Sequence, residues 1–358
     1  MKQIISALFF AATLFSCNTL GAANEPITLD HEFNVGSMSC SAWSPDGQFI
    51  VLGGKDGKVR VWNALTGKHE WTSDEEHRQR NWVTSVAWSP DGQFIVSGGD
   101  DGQVKVWNAQ IGKYLWASNE EPRYTGWDRS VVWSPDGRFM ISRAGWVRSV
   151  VWSPDGRFMI GDSKVKVWNA QSGQHQKTSH GENIYKDERL PVVAWSPDRE
   201  FIVSGYDDGK VKLWNVLTGE HKWTSGEHSH SDWVFDVAWS PDGQFIVSGG
   251  CDDKLKVWNA KTGEHVRTIV AGHDDLVRSV AWSPDGQFIV SGGHDKNVKV
   301  WNAKTGKHEW TSGEEHGHSF WVISVAWSPD GQVIVSGGND GKVKVWNARD
   351  LMLPYMCK

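Results

Sequence analysis

A run ending in Trp-Asn occurs seven times in the 358 residues, at Trp62, Trp107, Trp168, Trp214, Trp258, Trp301 and Trp346, and Trp-Ser-Pro-Asp occurs eight times from Trp43 onward. The Trp-Asn tryptophans stand 45, 61, 46, 44, 43 and 45 residues apart. All but one of these intervals is the length of one small sheet, which cannot bury its own faces and must stack on its neighbours. The array runs from about residue 36 onward and reads as one domain.

One unit, Trp82 to Ser118, shows how such a sheet is built. Ser89-Pro90-Asp91-Gly92 puts Pro where its fixed φ suits the second position of a turn and Gly where positive φ is needed, so two strands form a hairpin. A second turn across Gly98 to Gly102 leads into Val104-Lys105-Val106-Trp107, which alternates as a half-buried strand does. A third, at Ile111-Gly112, leads to an outer strand ending in Trp116. The unit therefore reads as four short antiparallel strands, a to d, and radial stacking of such units closes a ring.

With these turns and strands in place, the chain resembles the WD-repeat β-propeller family over about residues 27 to 348, through the coupled spacing of Ser, Asp and Trp in each full unit. The resemblance implies an all-β, seven-bladed β-propeller of four-stranded antiparallel blades, with eight blades as the alternative. It also implies a hydrogen-bonded set of His, Ser, Asp and Trp that ties the loop before strand a to strands b and c. Complete sets map to His230, Ser248, Asp252 and Trp258; to His273, Ser291, Asp295 and Trp301; and to His318, Ser336, Asp340 and Trp346. Ser97, Asp101 and Trp107, and Ser204, Asp208 and Trp214, form partial sets, with Gln79 and Lys186 in the His place. Leu52 replaces the Ser of the first unit, and Asn follows every Trp where the family has Asp. An indole N–H only donates, so its burial needs an acceptor opposite; a buried group left unpaired costs about 1–3 kcal/mol. The early blades are accordingly expected to be the weaker ones.

The long interval contains a second duplication. Residues 126–144 recur at 145–163 with 15 of 19 identical, adding an a–b hairpin without strands c and d. A two-stranded blade is marginal, which favours seven blades with a displaced hairpin. The alternation in Ile27 to Phe33 predicts that an N-terminal strand completes the last blade, whereas the tail 351–358 is interrupted by Pro354.

Residues 1–23 read as an export signal, with basic Lys2, a mostly apolar run of 12 from Ile4 to Phe15, and Gly21-Ala22-Ala23 before Asn24. The run is too short to span a bilayer as a helix, so no transmembrane segment is expected in the mature chain, the propeller domain of residues 24–350. Leu14-Phe15-Ser16-Cys17 also resembles the bacterial lipoprotein processing box, making a signal of 1–16 and a lipid anchor at Cys17 the alternative. The expected location is periplasmic or extracellular, or membrane-anchored. Cys40, Cys251 and Cys357 then remain, and ring closure would bring Cys40 toward Cys357.

Lys plus Arg number 37 against 43 Asp plus Glu, with no basic cluster for a phosphate backbone, so nucleic acid is not an expected partner. Function is sought where the units differ. The segments before strand a and the b–c turns reach one rim, and there Arg80, Trp82, Trp127, Tyr185, Tyr206, Trp233, Phe320 and Trp321 supply residue types that dominate binding hot spots. They are read as a surface for a protein or peptide partner on a monomeric, non-enzymatic scaffold; the structural counter-reading is that the tryptophans among them pack between blades. No catalytic residue, cofactor or metal is assigned, since His230 and His318 of the His-x-His pairs fall on structural positions. Two rival resemblances remain. Asn63 to Trp71 is similar to the tryptophan-docking motif of quinoprotein dehydrogenase propellers, and Ala-Trp-Ser-Pro-Asp-Gly is similar to repeats of the periplasmic TolB propeller of envelope assembly.

Overall fold

The computed structural model describes residues 27–351 apart from 35, 37, 77, 80–81, 100–102, 118–130, 134–138, 144–150, 153–158, 161–163, 170–174, 181–191, 199, 216–219 and 270–272. Strand β1 (Thr28–Asn34) precedes the first blade, β2 (Met38–Trp43), β3 (Phe49–Gly54), β4 (Val59–Asn63) and β5 (His69–Thr72). Blade two is β6 (Val83–Trp88), β7 (Phe94–Gly99), β8 (Val104–Asn108) and β9 (Tyr114–Ala117). Blade three combines β10 (Val131–Trp133) and β11 (Phe139–Arg143) with β14 (Lys164–Asn169) and β15 (His175–His180), and the intervening β12 (Val151–Trp152) and β13 (Met159–Ile160) pair only with each other. Blade four is β16 (Val192–Trp195), β17 (Phe201–Gly205), β18 (Val211–Asn215) and β19 (His221–Thr224); blade five is β20 (Val234–Trp239), β21 (Phe245–Gly250), β22 (Leu255–Asn259) and β23 (His265–Ile269). Blade six is β24 (Val277–Trp282), β25 (Phe288–Gly293), β26 (Val298–Asn302) and β27 (His308–Thr311), followed by the single turn α1 (Gly313–His316). Blade seven is β28 (Val322–Trp327), β29 (Val333–Gly338) and β30 (Lys342–Asn347), completed by β1. The seven four-stranded blades are thus those the repeats imply.

The turn chemistry is the same in each described unit. In blade two the Ser89 hydroxyl donates to Asp91 at 2.5 Å and accepts the Phe94 N–H at 2.9 Å, while Gly92 sits at φ +70°. This locks the a–b hairpin, so Phe94 to Gly99 runs up the blade as a strand buried almost throughout. Successive blades bury these central strands against each other, as Val51, Val61 and Trp71 of blade one do with Val86, Ile95 and Trp107 of blade two. Such burial contributes about 25 cal/mol per Å2 of apolar surface, which no single blade could gather alone.

Closure comes from the N-terminal side. β1 pairs antiparallel with β30, Glu32 opposite Lys344 and Phe33 opposite Val343. Glu32 meets Lys342 and Lys344 at 2.7 and 2.6 Å. Burial opposes its ionisation, but bonds from the two lysines outweigh that and hold the carboxyl below the usual carboxylate range. Phe33 also stacks on Trp62 of blade one, centroids 4.8 Å apart, and His31 Nε2 lies 3.0 Å from the Leu65 carbonyl. One strand therefore finishes the last sheet and grips the first.

The duplicated hairpin stands outside the seven blades, as a displaced hairpin would. The first copy, β10–β11, is the one that joins β14, with Ile141 opposite Val167. The second copy, β12–β13, lies with β12 beside both β10 and β16, the innermost strands of blades three and four. The hairpin thus approaches both neighbouring blades through β12, while β12 and β13 hydrogen-bond as strands only to each other. Cys40 donates its thiol to the Val83 carbonyl of the next blade, and Cys357, the partner that closure would offer it, lies outside the described residues.

Candidate functional site

The buried sets divide the molecule into structural and available polar groups. In blade five the Trp258 indole N–H donates to Ser248 Oγ at 2.9 Å, Ser248 lies 2.7 Å from His230 Nε2, and His230 Nδ1 lies 2.6 Å from Asp252. Burial pushes His230 below the usual histidine range, against the pull of Asp252, so Nε2 stays a lone-pair acceptor and Nδ1–H the donor. Blade six repeats the chain through Trp301, Ser291, His273 and Asp295 at 2.8, 2.8 and 2.7 Å, with Lys299 adding a 3.0 Å ion pair to Asp295. Blade seven does so through Trp346, Ser336, His318 and Asp340 at 2.9, 2.8 and 3.0 Å. Burial disfavours the charged Asp340, yet His318 and the Ser319 N–H outweigh it and hold its pKa at about 2. Ser, His and Asp here have the connectivity of a nucleophilic triad. The serine oxygens, however, are fully buried and already hold an indole N–H, so no substrate carbonyl can reach them.

Where a blade departs from the pattern, another residue takes the bond. Gln79 is fully buried, and its amide donates to Ser97 Oγ at 3.3 Å, replacing the histidine; Ser97 in turn accepts Trp107 at 3.0 Å. Asp101 lies outside the described residues. In blade four Tyr206 occupies the histidine's role. It is 2 % exposed, Ser204 Oγ donates to its hydroxyl at 3.1 Å, and Trp214 donates to Ser204 at 3.0 Å. Tyr206 therefore cannot belong to a partner surface, a correction to its place in the rim set. The repeat spacing concealed this, because the ring folds inward from a position one residue from the exposed turn. Asp208 is left exposed and pairs with Lys210 at 3.0 Å. Blade one has Leu52 in the serine's place, and the Trp62 indole N–H has no partner among the described residues.

The remaining aromatics of the set behave differently. Trp82, Trp233, Phe320 and Trp321 are 44, 43, 44 and 38 % exposed, while Trp107, Trp258 and Trp346, of the same repeat origin, are at most 1 % exposed. The main chain fixes their positions at one rim: Cys251 N–H bonds the Trp233 carbonyl and Asn339 N–H the Trp321 carbonyl, both at 2.8 Å, joining each b–c turn to the segment before strand a. Side chains from adjacent blades prop the rings. His294 of blade six stacks on Trp321 of blade seven at 3.9 Å with 1° between planes, Phe320 abuts Trp321 at 4.9 Å, and Lys55 of blade one lies 4.7 Å over Trp82 of blade two. Arg80, Trp127 and Tyr185 lie outside the described residues.

Two rim features escape a reading by residue type alone. A β-bulge between Val234 and Asp236 turns Phe235 out, where Arg278, in the same bulge of blade six, sits 4.9 Å over its ring. Asp236 itself stands where Ser85, Ser279 and Ser324 stand in other blades, three before the strand-a tryptophan. It accepts the Val237 and Val280 N–H groups, each at 2.9 Å, and the Ser279 hydroxyl at 3.2 Å, linking blades five and six. Burial raises its pKa to about 6 despite these donors. Many histidines serve a plainer purpose. His69, His221, His265 and His308 set their rings edge-on to the strand-c tryptophans and bond a threonine three residues on. Among the described residues no three metal-donor side chains are gathered, and no helix is long and apolar enough to cross a membrane.

Comparison with known proteins agrees with this anatomy. A stretch of 59 residues is 44 % identical to the periodic tryptophan protein 2 homolog of Mus musculus and 39 % identical to that of Dictyostelium discoideum, in each case 15 % of this chain. The chain covers only 6 % of the length of these relatives. The model of the WD domain, G-beta repeat, matches seven times, at residues 25–63, 71–108, 142–169, 190–215, 222–259, 263–302 and 311–347. These matches take in well over half of the chain and coincide with the seven blades, so the protein belongs to the WD-repeat family.

Proposed function

We propose that this propeller is a non-enzymatic scaffold that binds a protein or peptide partner through the rim bearing Trp82, Trp233, Phe320 and Trp321. The observation that carries this reading is the exposure of four large aromatics on one rim, where the other described indoles are buried or half-buried. Exposed aromatic clusters mark interaction surfaces, and rigid rings lose little entropy on binding. Arg80, Trp127 and Tyr185 are included because they stand in the corresponding segments before strand a. The test is photo-crosslinking from positions 82, 233 and 320 in the full chain, with Trp233→Ala and Trp321→Ala as competitors. Partner peptides crosslinked from these positions, lost in the alanine variants without a fall in melting temperature, support the reading. A partner held equally well by both variants removes it.

We further propose that residues 1–23 direct export of a monomeric propeller, with lipid attachment at Cys17 as the alternative outcome. Mass analysis of the mature N-terminus separates a chain starting at Asn24 from one starting at acylated Cys17; an intact Met1 in the mature protein overturns both.

A further inference from the structure

The outer strand of each blade places one side chain against the next blade, and in most of the described interfaces that side chain is a ring. Trp71 donates its indole N–H to the Ala109 carbonyl at 2.8 Å, and Trp223 donates to Ala260 at 2.9 Å. Each indole lies flat over a turn glycine: a Cβ on Gly112 would stand 2.5 Å from the Trp71 ring, and one on Gly263 2.6 Å from the Trp223 ring. Trp310 packs in the same core cluster as Ala348, and His31 with Phe33 covers Gly67 between blades seven and one.

Between blades five and six the residue opposite Val257 is Arg267, where the other sheets place Trp71 opposite Val61 and Trp223 opposite Leu213. The arginine stem runs over Gly306, its Cδ 3.3 Å from the position of a Cβ there, but a stem is narrower than an indole. A cavity of about 320 Å3 results, bounded by Val257, Phe245, Trp282 and Ala303. Ala303, which stands in the sequence where Ala109 and Ala260 stand, lines this space. The Arg267 Nε–H is buried and has no partner among the described residues. Lys304 lines the same cavity, while the one carboxylate there, Asp242, is engaged by Ser240 Oγ at 2.6 Å and the Gln244 N–H at 3.0 Å.

A largely apolar space at a position that sister interfaces fill with an indole, carrying an Arg267 Nε–H without a partner among the described residues, calls for a specific chemistry. We infer that the blade five–six interface binds a small aromatic carboxylate whose ring takes the place of the missing indole and whose carboxylate pairs with Arg267. Desolvation explains the preference: the buried Nε–H of the half-buried Arg267 gains most from a charge it can hydrogen-bond, and the ring restores packing that the repeat lost. The site lies on the rim opposite the exposed aromatics, so it stands or falls apart from the partner-binding reading.

Titration calorimetry of the full chain with indoleacetate, and with indole as the uncharged control, tests this. Wild type binds indoleacetate at least roughly tenfold more tightly than indole, the contribution of one charge-assisted pair. Arg267→Leu, which keeps the cavity, loses that preference, and Arg267→Trp, which refills the slot, binds neither. Absence of binding to wild type, equal affinity for the two probes, or an unchanged preference in Arg267→Leu each overturns the inference. Should Arg267→Trp fail to fold, the Arg267→Leu result decides alone. Trp321→Ala leaves the affinity unchanged.

Discussion

Individual hydrogen bonds, rather than the repeat as a whole, separate the strong blades from the weak. Trp62 and Trp258 occupy the same position, but only Trp258 has an acceptor. Trp258→Phe is therefore expected to cost about 1–3 kcal/mol more than Trp62→Phe, since it alone removes a satisfied donor and strands a serine oxygen. Paired urea denaturation curves measure the difference; equal costs would mean that ring volume, not the N–H, dominates. Tyr206→Phe removes the hydroxyl that Ser204 bonds, and a loss of about 1 kcal/mol is expected in the same assay. The Ser, Asp and Trp spacings make these positions legible in the sequence, and the His column makes three complete sets legible too. The spacing marks Gln79 as the occupant of the His place but not that its amide bonds Ser97, and Tyr206 is not legible at all, because it reaches Ser204 from a position that no spacing rule marks as equivalent.

Between neighbouring blades, a single carboxylate in a column of serines introduces a pH dependence. The Asp236 pKa is raised from 3.8 to about 6, so the folded state holds its proton more tightly than the unfolded one. Its contribution to stability is fully present below pH 3.8 and is lost as pH rises through 6, a span worth about 3 kcal/mol. Asp236→Asn should accordingly gain about 2–3 kcal/mol on wild type between pH 4 and pH 8, followed by unfolding at each pH. A constant difference across that range would show that the Val237, Val280 and Ser279 donors fully offset burial. Strand identity and pairing are readable from the period-two alternation and the Ser-Pro-Asp-Gly turns, down to N-terminal completion of the last blade. The seat of the duplicated hairpin is not readable, because its two copies carry nearly the same residues and only neighbouring strands decide which one meets β14. Arg267 stands in plain view where other units write Trp71, Trp116, Trp223 and Trp310, yet what it vacates emerges only once blades are stacked.

For the ring as a unit, closure between blades seven and one combines the β1 clasp with direct packing of Ile50 and Leu52 on Val333 and Val335. Phe33 is buried between the last and first blades, so Phe33→Ala should cost about 3–5 kcal/mol and lower the melting temperature cooperatively. A loss below about 1 kcal/mol would show that blades one and seven hold together without the clasp. The same clasp bears on synthesis. β1 is the first described strand and β30 the last, so the clasp can close only once blade seven has been made. Until then β1 lacks its mate, and near-identical strands of the repeat compete for its edge.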